Sequence, residues 1–191
     1  MAEAARDPVR EGLEIYVGKP MGPPQLAPDP VNVPMIRHWV DALDDRNPAY
    51  LDEELAAAGR FGGIVAPPAM LQTWAMPRPR IEGIAERGGA PDEMRSDNPI
   101  AALDRAGFVG TLATNSELEF VRYLRPGDRL SATNEVESIS ERKSTALGRG
   151  FFVTWVTTYR SSEGEVVGRQ LFRVFKFDPG TIDAARLKAA R

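Results

Sequence analysis

Asp45 and Asn47, which flank Arg46 and precede Pro48, set a carboxylate that could accept a proton two residues from an amide. The pair also has a plain reading, because Asp and Asn close to a helix end commonly cap it or shape the following turn. His38 is the one histidine, and imidazole titrates near neutrality. It stands beside Trp39, about two turns before Asp45, where a surface or packing role is expected. The absence of cysteine removes a thiol nucleophile, Cys-ligated zinc and disulfide staples. One histidine leaves a zinc site dependent on carboxylates, and no spacing suggests one. Arg78, Arg80, Arg87 and Arg95 could reach a phosphate, although scattered charges in a loop are usually only solvated.

These residues must be positioned by an α+β arrangement, helices first and strands afterwards. Residues 19–30 hold five of the sixteen prolines and should run as an extended surface connector. Asn32 then stands as an N-cap, Pro34 falls in the first turn, and Ile36, Trp39, Val40 and Leu43 recur at helical spacing. Further short helices are predicted over 51–58 and 69–76, with Gly62-Gly63 and Pro67-Pro68 between them. Residues 77–107 show no sustained periodicity and read as a long irregular excursion.

Strand-like runs follow at about 110–123, 129–144, 150–161 and 166–177, separated by Pro126-Gly127-Asp128, Leu147-Gly148 and Glu163-Gly164. In the third run Phe151, Val153, Trp155, Thr157 and Tyr159 share one face, and Phe152, Thr154, Val156 and Thr158 the other. The expected organisation is a lead-in (1–31), one domain (32–178) and a short helical tail (179–191). The net charge of −3, with both signs interleaved, offers no basic stripe for nucleic acid. No segment approaches the ~20 apolar residues of a membrane span, and a cytoplasmic protein is expected.

Three segments in order resemble the MaoC-like, R-specific enoyl-CoA hydratases. Residues 44–52, Asp-Asp-Arg-Asn-Pro-Ala-Tyr-Leu-Asp, are similar to that family's Asp-x-Asn-Pro-x-His signature. Residues 60–71 look like its stretch entering the central helix, and Leu118-Glu119-Phe120 with residues 124–130 like its strand and Pro-Gly-Asp turn. The resemblance implies a hot-dog fold, an antiparallel sheet wrapped around a central helix. It also implies an Asp/His pair that activates water and a backbone N–H that stabilises the thioester oxygen.

Asp45 and Asn47 match this signature, but Tyr50 stands at the histidine position, and a phenol with a pKa near ~10 is a poor base at neutral pH. Where the family has its oxyanion glycine, the sequence reads Ala66-Pro67-Pro68, with Pro68 at the glycine position, and proline has no N–H to donate. With these departures the chain resembles the Ala-Pro-Pro-type subunit of two-component hydratases and dehydratases, and that resemblance implies a degenerate, pocket-forming subunit of a heteromeric 2-enoyl-CoA hydratase. A smaller hot-dog partner carrying the Asp and His would complete the site, in a dimer of heterodimers. Tyr50, Ala66, Pro67, Pro68 and Trp74 are the expected acyl-contacting residues, with Met70 in the core and Met76 in the same cluster.

No resident cofactor or metal is expected, coenzyme A entering as the substrate's thioester. The excursion suggests a bulky acyl group, of the steroid or long-chain kind. In large subunits of that steroid type an OB-type thioester-binding region often follows, and none is expected before Arg191. The alternatives are a 3-hydroxyacyl-carrier-protein dehydratase subunit and a non-enzymatic acyl-CoA-binding protein.

Overall fold

The computed structural model describes residues 7–76 and 97–183. Its centre is an antiparallel sheet in the order β1-β3-β5-β6-β2, with β4 also paired to β5. The strands are β1 (Gln25–Leu26), β2 (Gly110–Phe120), β3 (Leu130–Ile139), β4 (Lys143–Thr145), β5 (Gly148–Ser161) and β6 (Val166–Asp178). The four expected runs are therefore present. The second is broken at 140–142, where β3 ends and β4 resumes on the same neighbour, β5. The hairpin glycines Gly148 and Gly164 have φ of 121° and 85°, a left-handed region that a residue without Cβ enters freely.

The helices lie at the ends and inner face of this sheet. They are α1 (Pro8–Leu13), α2 (Val33–Leu43), α3 (Pro48–Leu51), α4 (Glu53–Ala58), α5 (Leu71–Trp74) and α6 (Pro99–Arg105). Asn32 caps α2 by accepting from Met35 N at 3.0 Å, as its position before Pro34 led us to expect. Ile36 and Val40 are buried, whereas Leu43 is exposed because Asp44 turns left-handed (φ 51°) and ends the helix there. The helix expected at 51–58 is two: Asp52 leaves helical geometry and caps α4 by accepting from Leu55 N at 2.9 Å.

Three sequence readings need correction. The stretch from 77 to 107 is not irregular throughout, since 99–105 form α6. Asn98 caps it by accepting from Ala101 N at 2.9 Å, Pro99 occupies the first turn, and Ile100 and Leu103 at i, i+3 are buried. The lead-in contains a helix, α1, capped by Asp7 and sending Leu13 into the core. Residues 19–30 do more than cross the surface: Gln25 and Leu26 add an edge strand to β3, and Ala27 is buried. Proline is tolerated there because an edge strand leaves half its backbone groups unpaired. Residues 77–96, with Arg78, Arg80, Arg87 and Arg95, and the end of the expected tail helix lie outside the described residues.

The inner face of the sheet carries two apolar clusters. One joins Ile36, Val40, Tyr50, Val65, Met70, Leu71, Leu130 and Tyr159 beneath the helical segment 68–74. The other joins Leu13, Ile100, Leu103, Phe108, Val136, Phe151 and Val174 beneath α1 and α6. Phe151, Val153, Trp155, Thr157 and Tyr159 do share that face, and all but the half-buried Trp155 are buried. On the opposite face Thr154 is buried, accepting from Arg173 Nε at 2.9 Å, and Phe152 packs against Phe175. This is the hot-dog arrangement, with the helix reduced to a turn of 3-10 helix (Pro68–Met70) leading into α5.

Candidate functional site

The Asp45–Tyr50 segment is built by capping chemistry. Asp45 Oδ1 accepts from Asn47 N at 3.0 Å, and Asn47 Oδ1 accepts from Ala49 N at 3.1 Å, so that Asn47 caps α3 with Pro48 in its first turn. Both carboxylate and amide are thus engaged with local backbone. α3 carries Tyr50 inward to 8% exposure. Burial pushes its phenol above the ordinary tyrosine range; neighbouring Tyr123 and Asp45 push the same way, and Asn47 partly offsets them. At neutral pH Tyr50 is therefore a protonated residue of the apolar core rather than a base.

The helix entrance lies next to α3. Val65 N donates to Ala49 O at 3.1 Å, tying it to α3, and Ala66 N donates to Leu124 O at 2.8 Å. Pro67 is the N-cap and Pro68 the first residue of the 3-10 turn, so two N–H groups are missing where a helix usually presents unpaired donors. Ala66 and Pro67 are buried and Pro68 is half-buried. Tyr50, Ala66, Met70 and Trp74 belong to one apolar cluster. Met70 is a core residue, as expected. His38 is exposed on α2, away from this cluster.

The Pro126-Gly127-Asp128 turn holds the entrance in place. Arg122 donates to both oxygens of Asp128, at 2.8 and 3.1 Å, and to Glu165 at 2.8 Å. Gly127 N donates to Val31 O and Val31 N to Asp128 O, both at 2.8 Å, which fixes the start of α2. Arg125 reaches back to the Phe61 carbonyl. Burial alone would raise the Asp128 carboxyl, but the hydrogen bonds from Arg122 and from Arg125 N, with their charges, hold it below the ordinary carboxylate value.

A cavity of about 180 Å³ lies between α5 and the inner face of β3, β5 and β6, and none of Tyr50, Ala66, Pro67, Pro68 or Trp74 lines it. Gln72, Ala75 and Met76 line it from the helix side, whereas Trp74 faces the core instead, with its indole N–H buried and without a partner among the described residues. The sheet contributes Asn134, Thr157, Tyr159 and Gln170. The Tyr159 hydroxyl donates to Gln170 Oε1 at 3.0 Å, and Gln170 Nε2 donates to Gln72 Oε1 at 3.2 Å and to Ser116 Oγ at 2.9 Å. The Thr157 hydroxyl donates to Asn134 Oδ1 at 2.7 Å. Sequence reasoning missed this set. Its signal was Thr157, a polar residue at an inward position of an otherwise apolar and aromatic alternation. Among the described residues no cluster of three or more His, Asp or Glu could hold a metal ion, and no helix is long and apolar enough to cross a membrane.

Comparison with known proteins places these features in a lineage. The profile of the FAS1-like dehydratase domain region matches residues 17–170. A probable enoyl-CoA hydratase alpha subunit from Thermomonospora curvata is 45% identical over 175 residues, covering 87% of this chain and 51% of that protein. The 3-oxo-4,17-pregnadiene-20-carboxyl-CoA hydratase alpha subunit of Mycobacterium tuberculosis is 42% identical over 164 residues, covering 84% of this chain and 50% of that protein. The chain thus spans about half the length of these curated relatives. Among solved structures, the ChsH1-ChsH2 complex from Mycobacterium tuberculosis contains a chain that superposes with a TM-score of 0.74 at 38% identity, covering 90% of this chain and 92% of that one.

Proposed function

The chain belongs to the FAS1-like dehydratase-region family, and on that premise we propose that it is the pocket-forming subunit of a heteromeric 2-enoyl-CoA hydratase. Water is added across a bulky acyl thioester, of the steroid or long-chain kind, at a site completed by a smaller hot-dog partner that carries the Asp and His. The observation that carries this reading is the paired loss at one site. Tyr50, buried and held protonated, stands where a base is needed, and Pro67-Pro68 removes the N–H donors at the helix entrance. Chemistry that requires a proton acceptor and an oxyanion donor must then draw both from another chain.

The open edge of the sheet supports a partner. β2 pairs only with β6, leaving the other side of an 11-residue strand without a neighbour among the described residues, and Leu112, Leu118 and Phe120 are exposed along it. Long uncovered edges invite strand addition. A joined sheet and two-fold symmetry lead to a dimer of heterodimers. The brevity of the helical segment 68–74 supports a bulky acyl group, since the sheet beyond it borders a cavity. Coenzyme A is part of the substrate, no resident cofactor is needed, and the proposal takes the protein as cytoplasmic. The dehydratase profile favours a second reading, a 3-hydroxyacyl-carrier-protein dehydratase subunit, which differs in the thioester carrier.

The test is hydration of 2-enoyl-CoA by the chain alone, by Tyr50→His with Pro68→Gly, and by the chain mixed with a hot-dog protein encoded beside it. Activity confined to the mixture is expected. Robust turnover by the unmodified chain alone overturns the reading, and binding without turnover in every mixture favours a non-enzymatic acyl-CoA-binding protein. Carrier-protein thioesters run in parallel separate hydratase from dehydratase, and equal turnover of crotonyl-CoA and a steroid acyl-CoA counts against the bulky substrate.

A further inference from the structure

On the β3 side of the sheet the lead-in runs beside the strand and takes up its backbone groups. Gly18 N donates to Val136 O at 2.8 Å, Val136 N to Lys19 O at 3.0 Å, Met21 N to Asn134 O at 2.9 Å and Ala27 N to Leu130 O at 2.8 Å. Between Met21 and Ala27, Gln25 and Leu26 pair with Ala132 and Ser131. The carbonyls of Leu130, Asn134 and Val136 on this edge are therefore occupied, and a further strand finds no free ladder on β3 to join.

Covering an edge with another extended segment only moves the edge outward, unless the new edge is itself a poor template. In an antiparallel pair, a residue lying between two bonding neighbours points its own N–H and C=O away from the partner. Pro20 is such a residue: it stands opposite Glu135 while Lys19 and Met21 make the bonds. Ala27 bonds towards β3, so the same two-residue alternation directs the backbone groups at 24, 26 and 28 outward. Three of these four outward positions, Pro20, Pro24 and Pro28, have no N–H, which leaves Leu26 as the donor among them. Leu26, at 76% exposure, is the most exposed large apolar side chain among the described residues. Prolines thus stand on either side of the position most prone to attract another strand. By contrast, the 11 residues of β2 include no proline, and the side of β2 away from β6 has no neighbour among the described residues.

We propose that residues 18–28 are an edge-closing strap: they occupy the backbone of β3, present prolines on their own free side, and so confine extension of the sheet to β2. Assembly is then one-sided, and a partner that adds a strand at β2 ends the sheet's growth instead of seeding a polymer. In the dimer of heterodimers proposed above, the two halves accordingly meet through faces of the protein and not by continuing the sheet past β3. The inference concerns the sheet and stands or falls independently of the acyl-CoA reading.

The experiment uses the full chain. Pro20→Thr with Pro24→Thr, both at exposed positions, returns two N–H donors to the free side of the strap, and sedimentation velocity follows the mass as concentration rises. The variant is expected to reach about twice the weight-average mass of the unmodified chain at the same concentration, the result of one added edge pairing. The substitutions are then repeated in a chain whose β2 edge carries Leu118→Lys and Phe120→Lys, and the gain over that chain should persist. No gain in mass, or a gain that vanishes once β2 is charged, overturns the proposal. A measurement on the unmodified chain does not depend on how the variants fold: the Gly18, Met21 and Ala27 amides, which donate to β3, should exchange hydrogen as slowly as amides of the β5–β6 ladder. Exchange as fast as in an exposed loop would show that the strap does not hold the edge, and overturns the proposal equally.

Discussion

The ion pair between Lys176 and Asp104 should be strongly asymmetric when its partners are removed one at a time. Lys176 lies on the inner face of β6 with its side chain 2% exposed, and its Nζ donates to Asp104 Oδ1 at 2.6 Å and to Thr111 Oγ1 at 2.7 Å. Asp104, on α6, keeps 42% of its side-chain surface in solvent. Asp104→Ala leaves a buried ammonium with only neutral acceptors. Breaking a buried pair in this way costs ~3–5 kcal/mol, and the remaining Thr111 contact argues for the lower end, about 3 kcal/mol.

Lys176→Met removes the buried charge itself and fills the space with an unbranched apolar chain. Asp104 then returns to water at little expense, so the change should be within about 1 kcal/mol of neutral. For a chain of this length ~1 kcal/mol moves Tm by about 2–4 °C, so Asp104→Ala should lower Tm by roughly 6–12 °C and Lys176→Met by only a few degrees. Thermal and urea unfolding of the two variants and the double variant provide the measurement. Equal losses for the two single variants, or a larger loss for Lys176→Met, would falsify the idea that desolvation of the lysine dominates this contact.

Two further outcomes follow from packing and ionisation. A Cβ at Gly168 would lie 2.5 Å from Leu71 Cδ2 and 2.8 Å from the Glu119 carbonyl oxygen, so Gly168→Ala should push α5 off the sheet and cost about 1–3 kcal/mol, read as a lower urea midpoint with an unchanged m-value; unchanged stability would show that the helix does not need this approach. Burial pushes the Tyr159 phenol up to about 12, opposed only by the nearby Thr157 hydroxyl. The folded state therefore keeps a proton that the unfolded chain loses near pH ~10, and stability should be intact below that pH and fall by about 2–3 kcal/mol as it rises towards 12. Tyr159→Phe should abolish this component in alkaline unfolding curves and remove the last phenolate step at 295 nm; a variant curve with the same alkaline decline would show that another group is responsible.

Much of the architecture was legible in the residues because its signals are local. Alternation in 150–161, Gly148 and Gly164 at hairpin turns, and Asn32 before an apolar 3.6-residue repeat act over a few positions and survive any tertiary context. The substitutions that define the candidate site are also local: Tyr50 and Pro68 can be read at their places in a motif, and the chemistry they lack is a property of the side chain and of the imino acid. Helix α6 was legible too, in Asn98-Pro99 and the Ile100–Leu103 spacing, but its four apolar and small residues were outweighed by the Gly- and Pro-rich stretch before it.

What only the tertiary structure decided are relations between segments far apart in the chain. The row of Asn134, Thr157 and Gln170 exists because three strands align in one register, and no single strand shows that two amides share a cavity with Gln72. That Trp74 turns into the core while Gln72 and Met76 meet the cavity depends on how close α5 approaches the sheet, which Gly168 permits from almost a hundred residues away. The strength of the Tyr50 argument is of the same kind. Sequence identifies a phenol, but its raised pKa comes from burial and from Tyr123 and Asp45 brought beside it, because desolvation and charge act through space and not along the chain.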